Sequence, residues 1–335
     1  MGTLLGLGII LFVLVIIFQL AKANEMVDNL KNDDNTGVEI ISESTNRMQA
    51  VLFVLFLVFG MIGVFWSSWH YQDLYLPYPS SEHGAGLRTM FQWTLWATAP
   101  VFVATHIALF WFAYKYRFDK KAKAYFFPES HRLELIWTVI PAIVMIVLVV
   151  EGLRSWYNIT GEASADAIRV EATAQQFKWT LRYAGADNDI GIKTVKNIKD
   201  DNPMGQDWSD AANKDDFIAE ELHLPVGKEV LVKINSLDVL HNFYLPHFRV
   251  KMDAVPGIPT QFKFTPTITT EEMRKKLNNP DFNYELACAE LCGQAHYNMR
   301  KVVVIEEQAD YDKWFAEQKS LYDQYHKTSK GTPEP

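Results

Sequence analysis

Apolar and polar positions are not mixed evenly along this chain. Four runs in the N-terminal half are almost wholly apolar: residues 3–21 (TLLGLGIILFVLVIIFQLA), 49–68 (QAVLFVLFLVFGMIGVFWSS), about 92–114 (QWTLWATAPVFVATHIALFWFAY) and 133–152 (LELIWTVIPAIVMIVLVVEG). Each has the ~20 residues that a helix needs to cross a bilayer, which predicts four transmembrane spans. The first run has no basic flank and exceeds the ~7–15 apolar residues of a cleaved signal peptide, so it reads as a retained helix. The second is uncharged and ends in Trp66-Ser67-Ser68-Trp69, aromatics suited to a membrane interface. His106, inside the third run, is expected to pack against a neighbouring helix rather than face lipid or bind a metal.

The C-terminal half changes period. AIRVEATAQQFKWTLRYAG, EVLVKINS, HNFYLPHFRV, TQFKFTPTIT and MRKVVVIEE are short runs rich in Val, Ile, Phe, Tyr and Thr, bounded by Gly, Pro, Asn and Asp. No βαβ alternation intervenes, so they predict a soluble all-β sandwich. Residues 184–218 are polar and rich in Asp and Asn, and read as a surface insertion rather than strand. From Gln308 onward aromatic residues recur at helical spacing, predicting a C-terminal helix that ends in a frayed GTPEP tail. The expected organisation is therefore an extension with two spans (1–88), a helical hairpin (89–152), a sandwich domain (153–307) and a terminal helix and tail (308–335).

Charge sets the orientation. The loop after the third run carries Lys115, Arg117, Lys120, Lys121, Lys123 and Arg132, whereas the loop before it offers only Arg88. Basic loops stay cytoplasmic, which places both termini and the sandwich on the outer face. After residue 152 the chain has 28 Asp and Glu against 22 Lys and Arg. A net acidic domain makes nucleic acid an improbable partner and suits the steering of a basic soluble protein.

Both cysteines of the chain fall in one stretch, CAELCGQAHYNM, from Cys288 to Met299. Outside the cytoplasm two cysteines commonly form a disulfide. A bond across three intervening residues closes too small a loop to stabilise a fold much, whereas two thiolates at that spacing can meet at one centre. His296 and Met299 follow Cys292 by four and seven residues. Thiolate, imidazole and thioether together are the soft donor set that selects copper; zinc would have little use for Met299. A further imidazole is expected from a distant strand, where SLDVLHNFYLPHFRVKMDAVPG supplies His241 and His247.

With DVLH, DAVPG and CAELCGQAHYNM in this order, the chain resembles cytochrome c oxidase subunit II, matching the pattern CxExCGxxHxxM over roughly residues 90–310. The resemblance implies a cupredoxin-like sandwich on a transmembrane helical anchor, carrying the dinuclear copper centre called CuA. In that family Cys288 and Cys292 would bridge both coppers, His241 and Met299 would complete one, and His296 with the backbone carbonyl of Glu290 the other. The Glu290 carboxylate would help hold a magnesium ion shared with the catalytic subunit. Glu134, in LELIWTVIPAI, would mark the cytoplasmic mouth of a proton path. The implied function is to take electrons from a c-type cytochrome, membrane-bound or held in a supercomplex, and pass them to haem in subunit I of a bacterial inner-membrane oxidase. His247 matches no motif position and is expected at the rim.

Three departures from the family pattern stand out. Gln176-Phe177-Lys178-Trp179 replaces the usual QWYW, so Phe177 stands where electrons enter through tryptophan, with Trp179 beyond it. The first two spans have no counterpart, and the 184–218 insertion could reshape the donor's docking surface. Asp238, three residues before His241, is a candidate docking acid, with capping as its ordinary role. The rival readings are a membrane-anchored copper chaperone or thiol oxidoreductase, and a structural zinc site on Cys288, Cys292, His241 and His296. Against the former stand Gly293 where thioredoxin-like proteins carry proline, and the missing βαβ pattern.

Overall fold

The computed structural model of the chain describes residues 2–31, 43–119, 121–123, 125–199 and 202–324. Two compact units emerge, one from Met1–Gln72 with Leu95–Ile140 and the other from Asp73–Thr94 with Pro141–Pro335.

The four apolar runs form helices α1 (Gly2–Lys31), α2 (Glu43–His70), α4 (Glu82–Lys115) and α5 (His131–Thr160), with a short α3 at Gln72–Tyr75 between them. All four long helices are long and apolar enough to cross a membrane. They extend beyond the predicted runs because the helix continues into polar flanks at either end. Large apolar side chains point outward, with Phe56 68% and Trp96 79% exposed, the inverse of a water-soluble helix and suited to lipid. Within the first unit, Phe53 and Phe56 of α2 both pack on Phe110 of α4 at 5.9 and 5.7 Å. His106 forms a hydrogen bond within its own helix. Its Nδ1 lies 2.8 Å from the Phe102 carbonyl of its own α4, where it satisfies its polar nitrogen one turn back.

The second unit is the predicted sandwich. One sheet runs β3 (Phe217–Ala219), β2 (Lys178–Tyr183), β1 (Ile168–Gln175), β5 (Val230–Ser236), β8 (Thr260–Phe264); the other runs β4 (Leu222–Pro225), β10 (Arg300–Glu306), β9 (Tyr284–Cys288), β6 (His241–Leu245), β7 (Val250–Ala254). Two pairings are parallel, β1 with β5 and β10 with β4, while the rest are antiparallel. Val170, Ala172, Ala174, Leu181, Val232, Ile234, Phe243, Leu245, Leu286 and Val303 meet in the core, as alternation along each strand requires. Strands β3, β4 and β9 and helix α6 (Thr270–Leu277) add to the elements that the sequence predicts. The C-terminal helix is present as α7 (Gln308–Glu317); the GTPEP tail and Lys120 lie outside the described residues.

The start of α4 is bonded to the sandwich: Ser81 Oγ donates to the Phe248 carbonyl at 2.6 Å, and the Tyr284 hydroxyl lies 3.1 Å from Ser80 Oγ. These contacts sit past Leu245, at the far end of β6 from His241. His247 lies there too, half-buried against Phe282 and Tyr284, where burial drops its imidazole to about 4. The expected rim position is therefore corrected: the β6–β7 corner carries His247 away from the cysteine loop.

The described residues of 184–218 form a surface insertion with no named strand before β3 begins at Phe217. They fold over the outer face of the first sheet, and they bury Glu171, Thr173 and Arg182 beneath them. Arg182, 1% exposed, donates to Glu171 (2.7 and 2.8 Å), Asn213 (3.0 Å), Asp216 (3.2 Å) and the Gly191 carbonyl (3.0 Å). A segment whose polar groups bond inward has the same composition as a solvated loop, so composition does not reveal this network.

Candidate metal centre

Four loops and strand ends converge at one end of the sandwich. Register places them: Phe243 of β6 pairs with Cys288, the last residue of β9, so His241 begins its strand just beyond that cysteine. Strands β9 and β10 are antiparallel neighbours, and residues 289–299 form the loop that joins them. The Cys288 N–H donates to the Met299 carbonyl at 3.1 Å and closes that loop at its base; the Ala289 N–H donates to the Asn242 carbonyl at 3.1 Å and ties it to β6.

The sulfurs of Cys288 and Cys292 lie 3.9 Å apart. Both thiols are free and buried; a disulfide would need about 2.05 Å. Around the pair stand four further donors. His241 Nδ1 is 3.8 Å from the Cys288 sulfur and the Glu290 carbonyl 3.2 Å from it. His296 Nδ1 is 3.6 Å and Met299 Sδ 3.9 Å from the Cys292 sulfur. Buried His241, Cys288 and Cys292 offer ligand atoms within 4.8 Å of one another, close enough to share a metal. The Glu290 side chain is exposed while its carbonyl turns inward. Burial, reinforced by the adjacent Cys288 sulfur, pushes the Cys292 thiol up to about 11, so a cation between the sulfurs is what would draw off their protons. Two soft sulfurs flanked on both sides by nitrogen, sulfur and carbonyl oxygen fit copper by donor chemistry.

The surrounding residues fix these donors. Asp238 Oδ1 lies 2.8 Å from His241 Nε2. A carboxylate only accepts, so Nε2 carries the proton and the Nδ1 lone pair is left facing Cys288. The other Asp238 oxygen accepts from the Gln176 N–H at 2.7 Å. Burial alone would raise the Asp238 carboxyl, but hydrogen bonds from the Gln176 N–H, His241 and the Val239 N–H outweigh it and hold it below its ordinary value. Both oxygens of the candidate docking acid are thus bonded within this chain, on a side chain that stays 27% exposed. Trp179, 2% exposed, sits in the core with its ring 6.2 Å from that of His241, so no docking protein can touch it. Phe177 is half-buried and lies over the cysteine loop. Glu134, in the first turn of α5, faces the Ser130 N–H at 3.4 Å and His131 at 3.4 Å, remote in sequence from the sulfur loop.

At Gly293 the loop runs close against the β1–β2 turn. Its φ is +135°, and a Cβ there would fall 2.9 Å from Gln176 Nε2 and 3.0 Å from two ring carbons of Phe177. Gly293→Ala is expected to lose about 1 kcal/mol or more through left-handed strain and the displaced turn. A lower melting temperature of the full chain in detergent, with a lowered copper content per chain, would register both.

Residues 168–307 match the family model described as cytochrome c oxidase subunit II, periplasmic domain. Residues 67–154 match the model for the transmembrane domain of the same subunit. An alternative cytochrome c oxidase subunit 2 from Bradyrhizobium diazoefficiens is 36% identical over 68% of this chain and 78% of its own length. A cytochrome c oxidase subunit 2 from Thermostichus vulcanus is 27% identical over 77% of this chain and 83% of its own. Among solved structures, the periplasmic domain of subunit II of the Bradyrhizobium japonicum oxidase aligns at 22% identity and a TM-score of 0.31, covering 47% of this chain and 94% of that one. Family models over both the helices and the sandwich, with a relative matched along most of its length, establish that the chain belongs to the cytochrome c oxidase subunit II family.

Proposed function

We propose that this subunit is the electron acceptor of a haem-copper oxidase, with a dinuclear CuA copper centre between the two buried cysteines. The observation that carries the reading is the number and kind of donors. Four converge on a pair of unbonded sulfurs to make six in all, more than a single tetrahedral ion takes, and one is a thioether that structural zinc would not recruit. Cys288 and Cys292 would bridge both ions, His241 and Met299 complete one, and His296 with the Glu290 carbonyl the other. When bound, the pair supplies a one-electron store whose charge is spread over two ions and two sulfurs.

This chain's own residues do the rest. Asp238 fixes the His241 tautomer, Phe243 and Trp179 pack beneath the loop and keep water from the sulfurs, and the Cys288–Met299 backbone bond sets the loop's span. Exposed Leu240, Leu291 and Tyr297, with half-buried Phe177, give the metal end an apolar surface on a net acidic domain. Such a surface suits a basic c-type cytochrome as donor, with Phe177 in the place of the usual tryptophan. Electrons would then leave for haem in subunit I. The exposed Glu290 carboxylate would hold magnesium at that subunit's boundary, and Glu134 would open a proton path on the cytoplasmic side. The sandwich and both termini would face outward from a bacterial inner membrane.

The test uses the full chain, purified from membranes in detergent and loaded with copper. The expected result is two coppers per chain and a seven-line mixed-valence electron paramagnetic resonance signal. A four-line signal would mean one copper, and spectroscopic silence with stoichiometric zinc would establish a structural site instead.

A further inference from the structure

We propose that Gln176 is a positioning residue for the copper centre, joining its two halves through one residue of the β1–β2 turn; this rests on the copper reading above. The two halves come from distant parts of the chain. His241 belongs to β6 and is steered by Asp238, whereas Cys292, His296 and Met299 belong to the 289–299 loop. Gln176 bonds to both. Its backbone N–H donates to Asp238 Oδ2 at 2.7 Å, the carboxylate whose other oxygen meets His241 Nε2 at 2.8 Å. Its side-chain Nε2 donates to the Cys292 carbonyl at 2.5 Å. That approach is built into the loop, because a side chain at Gly293 would collide with the same Nε2.

The geometry separates the two arms. Any residue at 176 other than proline keeps the backbone N–H and hence the bond to Asp238; only the side chain serves Cys292. The amide donor sets its positive end against the carbonyl of Cys292, the residue whose sulfur would bridge the ions. A donor in that place stabilises the electron-rich, reduced form of the centre. It also fixes the Cys292 peptide plane, and with it the direction of the sulfur.

The experiment compares the full chain with Q176M, which keeps length but has no donor, and Q176E, which keeps shape but turns an acceptor and a negative charge toward the carbonyl. The readouts are copper per chain, the paramagnetic resonance spectrum, and a redox titration followed through the copper absorption bands. Both variants are expected to hold two coppers with a seven-line pattern of altered hyperfine splitting. The equilibrium constant for reduction should fall about three- to tenfold in Q176M, the scale of one neutral hydrogen bond, and further in Q176E.

A brace that merely held the turn in place would not give this graded order of midpoints at constant copper. Parental spectra and midpoints in both variants would overturn the proposal. So would loss of copper or of the fold in both, which would mark Gln176 as structural. Should Q176M alone fail to fold, as judged by circular dichroism of the metal-free chain, Q176E of the same shape decides. Failure of the copper reading itself would appear in the parent chain, which would then lack the seven-line signal before any substitution is made.

Discussion

Cys292→Ser is expected to abolish the two-copper centre while leaving the sandwich standing. Three donors face the Cys292 sulfur: Cys288 lies 3.9 Å away, His296 Nδ1 3.6 Å and Met299 Sδ 3.9 Å. Replacing its sulfur by a hydroxyl oxygen leaves a hard, barely acidic group where a soft thiolate must bridge. One bridge cannot hold two ions, so copper should fall from two per chain to one or none, and the seven-line signal should give way to a four-line pattern or silence. The fold has little reason to follow. The loop is closed by backbone bonds from Cys288 and Ala289, which the substitution does not touch, and a serine fits the volume of a cysteine. Metal analysis with the melting curve of the metal-free chain separates the outcomes. Two coppers retained with the parental spectrum would show that the sulfur of residue 292 is not a ligand.

The metal loop was legible because its donors are close in sequence: two cysteines, a histidine and a methionine within twelve positions leave few chemistries open. The distant His241 was legible through DVLH. The bonds of Gln176 to Asp238 and to the Cys292 carbonyl were not, since they depend on the β1–β2 turn folding over segments 62 and 116 residues later in the chain. Among the elements, the four spans announced themselves by length alone. Tyr284–Cys288 does alternate, with Tyr284, Leu286 and Cys288 buried and Glu285 exposed, but the run stops at the cysteine motif and offers only five residues. Helix α6 carried a readable signal. Thr269 caps it, accepting from the Glu272 N–H at 3.2 Å while Glu272 accepts from the Thr269 N–H at 2.9 Å, the reciprocal box that T-x-x-E spells. The buried face of 184–218 had none, because an aspartate bonded inward and one bonded to water are the same letter.

The largest loss of stability away from the sulfurs is expected at Arg182. Its guanidinium reaches Glu171, Asn213, Asp216 and the Gly191 carbonyl at once, joining β1 and β2 to the insertion that covers them. Lys193 adds a second cation against Glu171 at 2.7 Å, so the network is nearly balanced as it stands. Arg182→Met fills similar length with an apolar chain but strands Glu171 and Asp216 with a single lysine between them. Leaving a buried charge uncompensated costs about 3–5 kcal/mol. For a domain of this size that is a drop in melting temperature on the order of 10 °C. Arg182→Lys should recover little, because an ammonium cannot reach four acceptors from one fixed plane. The deficit should also depend on pH. Burial already pushes Asp216 up to about 7 against the pull of Arg182, and removing the guanidinium raises it further. A carboxyl whose folded value lies above its unfolded one loses stability as pH rises from about 4 through that folded value. The variant should therefore melt closest to the parent in mild acid and furthest from it above neutrality. Thermal melts of both chains from pH 5 to 9, followed by circular dichroism, give the comparison, and parallel curves of equal height would contradict it.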